Sequence, residues 1–224
     1  MNARHEYKHS LNFMDYRILQ GRLRSVLPHD GNTDKNGEYA VRSLYFDTPG
    51  DRALREKIDG VDRREKFRIR RYNNDPDFLS LEKKSKVHGL CCKQTTLISK
   101  EELSALTSGD LHWMAQDDRP LVVELYSKMT GQMLRPKTIV DYIREPFVYT
   151  EGNVRITLDR NIRTGLLSTD FLNDALPTVA AGNELVVLEV KYDAFIPDFI
   201  VKLLQLQYRR ASAFSKYALC RIYG

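Results

Sequence analysis

The sequence predicts one α+β domain over residues 1–224: an antiparallel β-barrel tunnel of about eight strands with helices packed on its outside. Three observations point there. Strand-like segments outnumber helical ones and do not alternate with them as βαβ units would. Five strand-like segments carry apolar residues on one side and charged residues on the other. On those charged sides Arg and Lys dominate, with an Asp or Glu in most segments, where an ordinary wetted face would carry more Thr, Ser and Gln.

The elements follow in order. "RHEYKHSL" reads as a strand, and "NFMDYRILQGRLRSVL" has apolar residues at helical spacing with Asn12 as its N-cap. "HDGNTDKNGE" is a turn-rich loop, and "YAVRSLYFDT" is a strand stopped by Pro49 and Gly50. "REKFRIRRY", "FLSLEKKSK" and "LCCKQTTLIS" continue as strands separated by short polar turns. "SKEELSAL" is a helix with Ser99 and Glu102 in capping-box relation, and "RPLVVELYSKMT" is a second with Pro120 in its first turn. "KTIVDYIREPFVY", "VRITLDRNIRTG" and "ELVVLEVKYD" are strand-like; one long amphipathic helix, "PDFIVKLLQLQYRRASAFSKYALCRI", begun by Pro197 and with Ser215, Lys216 and Tyr217 at or near its end, closes the chain, the fourth helix of the set.

The 224 residues are 42% hydrophobic and 29% charged, which suits a globular protein with a packed core. A net charge of +5 favours anionic partners, yet 30 carboxylates stand among 35 Lys and Arg, which argues against a simple nucleic-acid grip. No specific nucleic-acid motif with interleaved aromatics is present. Three cysteines without CxxC spacing, no apolar leader and no long apolar run give the expectation of a cytoplasmic protein with reduced thiols. His5 and His9 lack a third ligand on their strand face and are not a metal site. Asp47 reads first as a turn former that accepts from backbone amides.

The polar faces collect Glu6 and Lys8; Lys66, Arg68 and Arg70; Glu82, Lys84 and Lys86; Arg155, Thr157 and Asp159; and Glu189 and Lys191. On any one strand these would be a solvated face. Repeated over five strands, they predict a sheet curled with its charges inward around a wet, basic bore. Buried charge persists only when paired or metal-bound, so such a bore calls for an anionic occupant; a chain of phosphates with Mg²⁺ or Mn²⁺ would satisfy both the cations and the interleaved carboxylates.

The ordered run of Glu6-x-Lys8, "SLYFDT" (43–48), "FRIRRY" (67–72), "LEKKSK" (81–86), "YIRE" (142–145), "VRITLD" (154–159), "VLEVK" (187–191) and "FSKY" (214–217) resembles the VTC domain. That is the catalytic domain of the vacuolar transporter chaperone polyphosphate polymerases, within the CYTH-like triphosphate tunnel metalloenzymes, and the resemblance covers essentially the whole chain. It implies a metal-dependent transfer of the terminal phosphoryl group of ATP to polyphosphate. By the same resemblance Arg68, Arg70, Lys84, Arg144, Arg155 and Lys216 would be catalytic cations. Lys8, Lys86, Lys93, Lys191, Ser215 and Tyr217 would bind substrate phosphate, and Glu189, with Glu82 or Glu6, would hold Mn²⁺ or Mg²⁺. ATP, polyphosphate, phosphate or pyrophosphate are the implied partners, and a separate membrane protein would be the route to a membrane periphery. The hydrolytic relatives begin with Glu-x-Glu-x-Lys, whereas Arg4 stands at the first of those positions here; that departure favours the polymerase branch over an inorganic or nucleoside triphosphatase. A phosphate-chain binding module without catalysis is the remaining alternative, and the carboxylate of Glu189 argues against it.

Overall fold

The computed structural model describes residues 4–88, 90–182, 184–205 and 214–223. Its strands are β1 (His5–Leu11), β2 (Tyr39–Asp47), β3 (Arg64–Tyr72), β4 (Leu79–Val87), β5 (Leu90–Ile98), β6 (Arg135–Tyr149), β7 (Val154–Thr164), β8 (Val179–Ala180) and β9 (Val186–Tyr192). The helices are α1 (Phe13–Arg24), α2 (Arg52–Ile58), α3 (Lys100–Ser108), α4 (Pro120–Gln132), α5 (Asp198–Leu204) and α6 (Lys216–Cys220). The strands form one α+β sheet in the order β1-β9-β7-β6-β2-β3-β4-β5, with the short β8 beside β7. The registers of β1 with β9, β9 with β7, and β2 through β5 are antiparallel.

The chain divides into two compact units. One comprises Met1–Ala40, Tyr142–Ile162 and Ala180–Ser215; the other comprises Val41–Asp141, Arg163–Val179 and Lys216–Gly224. Each has its own core, and in each the helices cover the apolar face of the strands. In the first, Leu19 and Leu23 of α1 and Ile200 of α5 join Leu11, Ile156, Leu158, Leu188 and Val190. In the second, α3 and α4 contribute Leu103, Leu106, Val122 and Leu125, which pack with Phe67, Ile69, Leu79 and Leu81. Period-two alternation explains the consequence: the side chains opposite these core residues are the charged sets.

Local capping agrees with the sequence. Asn12 Oδ1 accepts from the Asp15 amide at 2.8 Å, and Ser99 and Glu102 form a reciprocal capping box. Pro120 opens α4.

Two elements differ from expectation. The helix α2 was not foreseen, because none of its residues is buried and it therefore shows no apolar period. It is instead anchored by Asp47, which is fully buried and accepts from the amides of Thr48 (2.8 Å), Ala53 (2.8 Å) and Leu54 (3.1 Å) and from the Tyr217 hydroxyl (2.5 Å). The predicted single closing helix is not continuous: α5 ends at Leu204, Gln205 turns to extended backbone with ψ 113°, and α6 begins only at Lys216. Apolar spacing marked the helical face but held no signal for this exit; the part of the predicted helix at 206–213 lies outside the described residues.

Replacing Asp47 with Ala strands several buried donors together, so Asp47→Ala should lower unfolding free energy by about 1–3 kcal/mol or more in a denaturant titration. An unchanged midpoint would contradict this anchoring role.

Candidate functional site

In the unit containing β2 to β5, the register places Tyr45 opposite Arg68, Arg68 opposite Glu82 and Glu82 opposite Thr95. The neighbouring row sets Lys66 opposite Lys84 and Lys84 opposite Lys93. Like charges directly opposed across strands are unfavourable, and here three ammonium groups share one row. Glu82 is the counterweight. Only 2% exposed, it receives Arg68 Nε at 2.6 Å and Arg68 Nη2 at 2.5 Å, Lys93 Nζ at 2.7 Å on its other oxygen, and Arg70 Nη1 at 3.8 Å. Burial pushes the Glu82 carboxyl up, but Arg68, Arg70 and Lys93 outweigh it and hold the group well below the carboxylate range.

Tyr45 completes the row. Its hydroxyl accepts from Arg68 Nη1 at 3.0 Å, and Lys66 Nζ and the Arg68 guanidinium each lie 5.8 Å from its ring centre. The ring stacks on Tyr217 at 5.1 Å. Burial pushes the phenol up, yet Arg68, Lys66 and Arg70 bring it down to about 7. Arg70 donates to Ser43 Oγ at 3.2 Å, and its guanidinium lies 5.9 Å from the Tyr72 ring centre. Lys86 is opposite Arg64 and Cys91 on the same face. Tyr217, expected to flank phosphate, is 2% exposed and spends its hydroxyl on Asp47, so its visible work is to support Tyr45. Lys216 is the first residue of α6, directly after Ser215, and both are half-buried.

The unit containing β1, β7 and β9 carries a second set. Lys8 is opposite Glu189 and Glu189 opposite Thr157; Glu6 is opposite Lys191 and Lys191 opposite Arg155. Lys8 Nζ ties Glu6 Oε1 at 2.5 Å to Glu189 Oε2 at 3.9 Å, and Lys191 pairs with Glu189. Burial lowers the Lys191 pKa; Arg144 adds to this, against the pull of Glu189 and Glu6. Arg144 forms a bidentate pair with the buried Asp159 at 2.6 and 2.8 Å, and its pKa is raised because Asp159 outweighs the cost of burial. Arg155 reaches Asp30 at 2.6 Å and the Tyr39 hydroxyl at 3.0 Å.

Among the described residues no three His, Cys, Asp or Glu side chains form a metal cluster. Glu6 and Glu189 nevertheless suit a Mg²⁺ or Mn²⁺ ion that arrives with phosphates, since such ions use one or two protein carboxylates and take further oxygens from substrate and water. The Thr157 hydroxyl, buried and without a hydrogen-bond partner, belongs to the residue opposite Glu189 and offers a further polar atom there. Glu82 differs from these two in already receiving three cations, Arg68, Arg70 and Lys93.

Tyr45 and Thr157 were absent from the candidate site residues. Tyr45 had a signal, its alternation with Ser43 and Asp47 in "SLYFDT"; Thr157 was on a polar face, but nothing in the sequence set it apart.

A family model described as the VTC domain matches residues 3–222. No curated protein matches the chain. Solved structures with a similar fold include a Bacillus halodurans protein provisionally named an adenylate cyclase, at TM-score 0.52 and 15% identity, covering 85% of this chain and 80% of that one. A Pyrococcus furiosus protein of unassigned function reaches TM-score 0.53 at 12% identity, covering 97% and 99%. A Pyrococcus horikoshii protein reaches 0.50 at 15% identity, covering 96% and 97%. At these identities the likeness is one of fold.

Two outcomes test the electrostatics. Glu82→Gln should destabilise by about 3–5 kcal/mol, because it removes the buried charge on which Arg68, Arg70 and Lys93 converge. The folded-state pKa of Glu82 is depressed, so its contribution is complete above the ordinary value of 4.5 and fades as acid protonates it. The acid limb of the stability profile should therefore flatten in Glu82→Gln; an unchanged limb would contradict the assignment. For Tyr45, also depressed, stability rises as pH climbs from about 7 toward the ordinary value of 10.0. A phenolate absorbance titration, wild type minus Tyr45→Phe, should show one group ionising near 7; ionisation only near 10 would refute it.

Proposed function

The chain belongs to the VTC domain family, and on that premise we propose that residues 1–224 act as one catalytic domain that transfers the terminal phosphoryl group of ATP to a growing polyphosphate chain. The observation that carries the proposal is the opposed row of Lys66, Lys84 and Lys93 beside Arg68 and Arg70, with the buried Glu82 carboxylate receiving Arg68, Arg70 and Lys93. Such a row is costly in the free protein and favourable once phosphate oxygens lie along it.

In this reading Arg68 and Arg70 fit the non-bridging oxygens, and Glu82 keeps their planar forks oriented before substrate arrives. Pre-set orientation matters because phosphoryl transfer needs little covalent help from protein; positioning and charge stabilisation supply most of the rate. Lys84, Lys86 and Lys93 extend the phosphate track along the same face. On the other strand set Arg155, Lys191 and Lys8 would contact phosphate, and Glu6 and Glu189 would be the carboxylates to hold a divalent metal. The ion, when bound, neutralises charge on adjacent phosphates. Arg144, fixed by Asp159, contributes positive potential from a buried position. Lys216 and Ser215 add contacts at the start of α6, with Tyr217 as the support behind Tyr45. The acceptor is then phosphate, pyrophosphate or the polyphosphate end. Among the described residues no helix is long and apolar enough to cross a membrane.

Purified protein incubated with ATP and Mn²⁺ should yield long polyphosphate, resolved by length on a gel. Free phosphate alone would replace the polymerase with a triphosphatase, and tight tripolyphosphate binding without turnover would replace it with a binding module. Arg68→Ala and Arg155→Ala should each lower turnover by an amount equivalent to about 2–4 kcal/mol; unchanged turnover in both would refute their assigned role.

A further inference from the structure

The helix-covered face of β3 and β4 carries Glu65, Phe67, Lys83, Ser85 and Val87 and points away from the row of Lys66, Lys84 and Lys93. Under α3 and α4 this face is packed by Leu103, Leu106, Val122 and Leu125. Beside α2 it is not. That helix buries none of its residues and is tied down only near its start, by the Asp47 carboxylate and by Thr48 Oγ1, which accepts from the Arg52 amide at 3.1 Å. With nothing buried, α2 does not close onto the sheet. A cleft of 390 Å³ remains between it, the two strands and the end of α4, all within one compact unit.

Its lining combines two chemistries. Phe67, Val87 and Leu134 supply an apolar wall, and Val87 is 43% exposed there. Most of the charges answer one another: Lys83 and Lys128 pair with Glu65, Lys83 also with Glu124, and Arg52 with Glu56 at 2.7 Å. Arg63 and Arg64 are the surplus. Arg64 donates to the Val61 carbonyl at 2.5 Å, and Arg63 is exposed. A cavity of this volume, with an apolar wall and a few placed polar groups, has the make-up of a small-molecule site. The planar forks of the two arginines suit an anionic head, and the wall suits an apolar body attached to it. We propose that this cleft binds a small organic anion, an acidic head on a flat apolar body, at a site separate from the phosphate track. The proposal goes beyond the polymerase reading and does not depend on it, because β3 and β4 stand between the cleft and the track and both ligands bind at once.

The test uses two fluorescent probes: anilinonaphthalene sulfonate, which carries both parts, and phenylnaphthylamine, the same body without the acidic head. The wild type should bind the sulfonate about tenfold more tightly, equivalent to about 1.4 kcal/mol, and the double variant Arg63→Ser, Arg64→Ser should lose that preference. Ala53 lies on α2 and Val87 at the end of β4, and both line the cleft. Filling it with Ala53→Trp or Val87→Trp should weaken both probes about tenfold. Thermal melts establish that each variant is folded, and the arginine variant keeps the test alive if neither Trp is tolerated. Saturating ATP or tripolyphosphate with Mg²⁺ should leave the sulfonate bound; its displacement by either would put the probe on the phosphate track and overturn the separate site. Sulfonate binding unchanged in the folded variants would place the probe on other apolar surface, and equal affinity for the two probes would leave no role for the arginines; each result overturns the proposal. Naphthoate and naphthyl phosphate as competitors distinguish a carboxylate head from a phosphate one, and displacement by neither would also overturn it.

Discussion

The structure depends on a balance of charge on one face of antiparallel strands. Around Glu82, two guanidinium groups and one ammonium group converge on a carboxylate that is almost wholly buried. Such a cluster is expensive to desolvate and is repaid only by tight, well-directed pairing. Packing makes that geometry possible: Phe67, Ile69, Leu79 and Leu81 fix β3 and β4 from the opposite face, so the register that aligns Arg68 with Glu82 cannot slip by one residue without exchanging core for charge. The same logic holds for β1 and β9, where a slip would exchange Glu189 for Leu188 or Val190.

This arrangement gives the site its chemical character. In the proposed reading, a carboxylate that gathers Arg68 and Arg70 on one oxygen resembles in charge the phosphate those arginines would receive. Glu82 therefore keeps Arg68, Arg70 and Lys93 in place, beside a row in which Lys66, Lys84 and Lys93 stand directly opposite one another. In the other strand set the pattern is a checkerboard, Lys8 against Glu189 and Glu6 against Lys191, with two acids close enough to share one lysine. In the proposed reading one set grips phosphate and the other holds a metal cation together with phosphate.

Much of this was legible in the sequence because strand alternation is a local rule. Residues 66–70, 80–86, 154–159 and 187–191 declare their faces by period two, and the registers then bring Arg68 to Glu82 and Lys8 to Glu189. What was not legible depended on long-range partners. Lys83 breaks the apolar face of β4, and only the fold shows why it is tolerated: it pairs with Glu65 of β3 and Glu124 of α4, and its ammonium lies 5.7 Å from the Phe67 ring centre. α2 has no buried residue to reveal it and relies on Asp47, while the break after Leu204 leaves no mark in the apolar spacing. Tyr45 gains its place from Arg68 on one side and Tyr217 on the other, contacts spanning 23 and 172 positions of chain, as the residue numbers show.

The central claim is that these opposed cations form a specific seat for condensed phosphate. The most direct measurement is the melting temperature as tripolyphosphate is added at constant ionic strength, since a ligand that binds only the folded state stabilises it in a saturable, concentration-dependent way. The account predicts a rising, saturating melting temperature for the wild type and a much smaller rise for a Lys84→Ala, Lys93→Ala double variant. A rise no larger than that produced by sulfate of equal ionic strength, or one equal in the double variant, would contradict it.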